Sequence, residues 1–82
     1  MNEQRIPLST LAPGGVGVVR QLAGGRGFRS RLATLGFTPG VEVNMVQNFG
    51  RGPLIVLVRD TRVALGRGEA AKVLVEAVTN GQ

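Results

Sequence analysis

The chain has 82 residues, ten Lys and Arg against five Asp and Glu, a formal charge of +5, and 43% hydrophobic residues. That length makes one domain, residues 1–82, which buries only about 60% of the surface its unfolded form exposes. With no Cys and no His, disulfides, the usual zinc sites and catalysis through a Cys or His are excluded.

Residues 1–5 are polar and no apolar core follows them, so nothing here resembles a signal peptide. The longest purely aliphatic run, LIVLV at 54–58, is far short of the roughly 20 residues a membrane span needs. Cytoplasmic residence without membrane insertion is the expectation.

The core is expected to span residues 6–78. Leu8-Ser9-Thr10-Leu11 allows a single helical turn, and Pro13-Gly14-Gly15 turns the chain into a strand over 16–22. Val16 and Val18 alternate there with Gly17 and Val19, as in a strand buried partly on both sides. Gly24-Gly25-Arg26-Gly27 connects to a short helix in which Phe28, Leu32 and Leu35 fall at i, i+4 and i+7, the spacing of one helix face.

Gly36 stands where a helix ends in left-handed backbone, which costs glycine little. With Leu35 as C-cap, Phe37 packs back onto Leu32 in a Schellman arrangement. Pro39 and Gly40 suit the central positions of a type II turn, and a strand over 41–46 follows. This motif is expected to fill the core with Leu32, Leu35 and Phe37 and to set the register of the next strand.

Residues 48–53 read as a loop bounded by Gly and Pro. Strands over 54–58 and 62–65 form a hairpin turning at Asp60-Thr61. A helical turn fits 66–71, a last strand carries Val73, Val75 and Ala77 on one face, and residues 79–82 make a polar tail. About five short strands with one helix and one helical turn describe a mainly β chain curled into a small closed or nearly closed barrel, a shape that also removes exposed strand edges.

Three glycine-rich stretches, PGGVG, AGGRG and LGRGE, lack the spacing of a P-loop or a dinucleotide fingerprint. They read as turns. The five carboxylates are scattered, no catalytic constellation assembles, and neither a metal site nor a cofactor is expected. Arg26, Arg29 and Arg31 surround the helix start, with Arg51 and Arg67 in loops. Such a basic surface suits nucleic acid, an anionic membrane or an acidic protein. Nucleic acid would call for aromatic platforms, and with Phe28 and Phe37 assigned to the core, Phe49 beside Arg51 is the one aromatic left to meet a partner.

Leu8-x-x-Leu11, Pro13-Gly14, Arg31-Leu32-x-x-Leu35-Gly36-Phe37-x-Pro39-Gly40, Gly52-Pro53 and Ala64-Leu65-Gly66-Arg67-x-x-Ala70 together resemble the FeoA family, the small cytosolic component of bacterial ferrous iron uptake. The likeness runs over residues 6–77. It implies an SH3-like barrel with an inserted helix and a helical turn before the last strand. It also implies a non-enzymatic protein that binds and modulates FeoB, the membrane transporter with a cytosolic GTP-binding domain. Contacts are then expected through Arg26 and Arg29 or through Phe49 and Arg51. The alternatives are a basic barrel that binds nucleic acid, or a regulatory domain related to those of metal-dependent repressors.

Overall fold

Alternation builds the sheet. In the strand Leu54–Val58, Leu54, Val56 and Val58 are buried, while Ile55 and Leu57 are only half covered. Its neighbour Thr61–Leu65 buries Val63 and Leu65. The period of two puts these side chains on one face, and that face is the core.

The computed structural model describes residues 4–78, so the polar tail at 79–82 lies outside the described residues. In chain order the strands are β1 (Arg5–Pro7), β2 (Val16–Leu22), β3 (Glu42–Gln47), β4 (Leu54–Val58), β5 (Thr61–Leu65) and β6 (Val73–Ala77). A 3-10 turn, Leu8–Thr10, follows β1; the helix α1 (Arg26–Thr34) lies between β2 and β3, and α2 (Arg67–Ala70) between β5 and β6. The strands form one antiparallel sheet in the order β1-β6-β2-β3-β4-β5.

The mainly β architecture and both helical insertions match the expectation, with two refinements. Six strands pair instead of about five, because β1 is only three residues long and ends in Pro7, too short to show a period. The sheet also does not close: β1 and β5 form its two edges and do not pair with each other. The sheet curls over its core without joining, and bulges help it bend. Arg20 is the extra residue between the Val19↔Val75 and Gln21↔Leu74 pairs, and Val46 the extra one between Met45↔Val56 and Gln47↔Ile55; an extra residue of this kind bends its strand and increases the twist.

The end of α1 follows Schellman geometry. The Gly36 N–H donates to the Ala33 carbonyl and the Phe37 N–H to the Leu32 carbonyl, both at 2.9 Å, with Gly36 at φ +104°. Phe37 and Leu32 are both fully buried. The expectation that Leu35 joins them is corrected, since Leu35 remains 41% exposed. The reversal at Gly36 carries Phe37 into the interior, and Leu35, as the C-cap, is left at the rim. The next turn is closed by the Val41 N–H on the Thr38 carbonyl at 3.0 Å, with Gly40 at φ +94°, as a type II turn over Pro39 and Gly40 requires.

The β4–β5 hairpin turns one residue earlier than expected. Val58 pairs with Thr61, so the tip is Arg59-Asp60, at φ +50° and +63°. Two left-handed central residues match the strand twist of a two-residue hairpin. Thr61, whose branched Cβ resists that conformation, is thereby spared it and begins β5.

Candidate docking surface

Single exposed apolar side chains are ordinary on a protein surface, so the degree of exposure and the local setting decide which of them is a candidate contact. Phe49 is 75% exposed, well beyond Val78, Leu35 and Val46. It lies in the loop between β3 and β4, where residues 49–53 are all exposed. Gly50 and Gly52 adopt φ +84° and +74°, a backbone in which a side chain at either position would be strained.

The root of this loop is Asn48. Its Nδ2 donates to the carbonyls of Ser9 at 3.0 Å and Leu11 at 2.9 Å; its Oδ1 accepts the Gly50 N–H at 3.0 Å and Arg67 Nη2 at 2.7 Å. Two donors and two acceptor sites are all a side-chain amide has, and all are used. Arg67, the first residue of α2, also donates through Nη1 to Ser9 O at 3.4 Å. Its Nε is buried without a partner, and Arg67 makes no ion pair among the described residues. The loop, the 3-10 turn and α2 are thus joined through one amide and one guanidinium.

Arg26 and Arg29 are exposed on α1. Arg29 borders an open groove of about 400 Å³ together with Arg20, Leu22, Ala33, Phe37 and Pro39. Neither Phe49 nor Arg51 lines it. The four arginine and phenylalanine positions singled out in the sequence therefore fall into two groups, one on the α1 side and one on the β3–β4 loop.

The helix itself is tied down by polar contacts. Arg31 Nη1 meets Glu69 Oε2 at 2.6 Å, while Glu69 Oε1 accepts the Gly66 N–H at 3.1 Å. Lys72 Nζ stands 5.5 Å from the centre of the Phe28 ring, which rests on Gly24 so closely that a Cβ there would lie 2.3 Å from a ring carbon.

Asn48 and Arg67 escape a reading by residue type. Apart from the Gly50 N–H, two residues from Asn48, their hydrogen-bond partners are 37, 39, 19 and 58 positions away along the chain, and the trace left in the sequence is Arg67 within Ala-Leu-Gly-Arg. Among the described residues no group of three or more carboxylates could hold a metal ion, and no helix is long and apolar enough to cross a membrane.

The family model for the FeoA domain matches residues 6–77. An Fe(2+) transport protein A of Methanocaldococcus jannaschii is 31% identical over 75 residues, covering 92% of this chain and 90% of that protein. The crystal structure of an iron uptake regulatory protein, FeoA, superposes with a TM-score of 0.87 at 35% identity, covering 92% of this chain and 100% of the other. Stenotrophomonas maltophilia FeoA, crystallised with zinc and described as a prokaryotic SH3 domain protein, gives 0.71 at 37% identity over 89% of each chain. A manganese-dependent transcriptional repressor gives a TM-score of 0.81 at 18% identity, covering 95% of this chain and 44% of its own, a likeness of fold alone. The chain belongs to the FeoA family, and its fold is SH3-like.

Proposed function

We propose that this chain is a non-enzymatic cytoplasmic accessory of ferrous iron uptake that docks on the GTP-binding domain of a FeoB-type membrane transporter and modulates it. Family membership supports the pathway: the Methanocaldococcus jannaschii relative is named for Fe(2+) transport, and the Stenotrophomonas maltophilia protein is described in connection with activating it. The observation that carries the docking role is Phe49, three-quarters exposed beside Arg51 on a loop whose root is fully hydrogen-bonded. An aromatic side chain has few torsions to freeze on binding and offers a large contact area, and such residues are enriched among those that dominate interface energetics.

A nucleic-acid role draws less support. Of the three phenylalanines one is buried, one half-buried and one exposed, and the chain has no Tyr or Trp, so single strands would find no row of stacking platforms.

Co-purification with the cytosolic domain of the transporter tests the docking. Phe49→Ala combined with Arg51→Ala is expected to abolish it, and a complex that survives both removes this loop. Loss with Arg26→Ala and Arg29→Ala instead would move the contact to the α1 side.

A further inference from the structure

We infer that Asn48 and Arg67 are positioning residues that hold the β3–β4 loop as a preformed contact tip, built for a partner recess that is apolar inside and rimmed by carboxylates. The part that concerns the partner rests on the docking function proposed above.

A half-buried guanidinium is ordinarily kept beside a carboxylate, because removing its charge from water costs free energy that a counter-charge offsets. Arg67 has no such partner among the described residues and leaves Nε buried without an acceptor. Its closest bond, at 2.7 Å, goes to the neutral amide of Asn48. That bond fixes the amide, and the amide in turn fixes the Gly50 N–H, one residue beyond Phe49. The charge of Arg67 is therefore used on the conformation of the loop.

The exposed part of the loop shows what it suits. Phe49 presents an apolar ring and Arg51 a positive charge, and Arg51 makes no ion pair among the described residues. A ring next to an uncompensated cation is complementary to a pocket with an acidic edge, and charge complementarity of this kind selects partners and speeds encounter. With the Gly50 N–H already held by Asn48, less of the loop is left for binding to order.

The test uses the full chain and the cytosolic domain of the transporter. Asn48→Ala is expected to weaken binding about tenfold, the ratio that corresponds to about 1.4 kcal/mol. The double variant with Phe49→Ala should bind no more weakly than Phe49→Ala alone, because both changes remove the same presented ring. Arg51→Glu should weaken binding more than Arg51→Gln, with the gap narrowing as salt is raised.

In the free chain, hydrogen exchange at the Gly50 amide should be slow and should accelerate at least about tenfold in Asn48→Ala. Should Asn48→Ala not fold, Arg67→Lys, which keeps the charge but loses the planar fork, takes its place in both measurements. Unchanged Gly50 exchange overturns the clamp whether or not the transporter binds. Binding that is unaffected by Asn48→Ala, or losses that multiply in the double variant, overturns its role in docking while leaving the proposed function intact. A wild-type chain that does not bind at all removes the proposed function, and Gly50 exchange then decides the clamp alone.

Discussion

The helix stop at Leu35-Gly36-Phe37 and the hairpin tip at Arg59-Asp60 both pass through left-handed backbone, yet they reach it by different means. At the stop the residue with φ +104° is a glycine; at the tip the residues at +50° and +63° are an arginine and an aspartate. The two places touch. A Cβ on Gly36 would lie 3.4 Å from Arg59 Cδ and 3.5 Å from Val58 Cγ2, and Arg59 Nη2 reaches Thr38 Oγ1 at 3.5 Å. The stop is unstrained and is set locally. At the tip the conformation is imposed by the pairing and twist of β4 and β5, which outweigh the preference of Arg59 for negative φ.

The largest effect should come from what the stop delivers to the core. Phe37→Ala removes a fully buried ring and is expected to cost about 3–5 kcal/mol, read from the denaturant midpoint at unchanged m-value. A loss below about 1 kcal/mol would show that the reversal at Gly36 does not exist to bury this side chain.

Next comes Gly36→Val, with an expected loss of about 1–3 kcal/mol in thermal denaturation. A bare Cβ at this position would stand at ordinary contact distance from its neighbours, so Gly36→Ala isolates the backbone strain and any further loss in Gly36→Val is crowding by its methyl groups. A variant as stable as the parent would disprove the helix-stop assignment.

The smallest effect has the opposite sign. Replacing Arg59-Asp60 by Asn-Gly, the pair most at ease in a two-residue hairpin, should stabilise by about 1 kcal/mol, seen as a higher melting temperature. No gain would mean that the contact of Arg59 with Thr38 offsets the strain.

The same contrast explains what could be read in the sequence. Gly36, Pro39-Gly40 and the run Leu54–Val58 carry their geometry in their own residue types, and the helix stop, the type II turn and the central strands were legible from them. The position of the hairpin tip was not, because no glycine marks it and strand register decides it. Strand β1 was hidden because its three residues acquire meaning only opposite β6. Leu35 has the period of a core position, but a period cannot say where the core ends. Phe49 and Arg51 stood out as an aromatic and a charge in a loop. The amide and guanidinium that hold them come from distant parts of the chain, and their pairing exists only in the folded molecule.

Leu32 is the one side chain of α1 that is wholly buried, while the sheet beneath carries most of the interior residues. Such unequal mooring implies an order of amide exchange, with α1 expected to exchange faster than the central strands because fewer buried side chains must be exposed to open it. Arg29 and Ala33 border the groove, and Arg31 ties the same helix to Glu69 of α2, whose Arg67 roots the Phe49 loop, so the two candidate contact sites hang from one shared anchor.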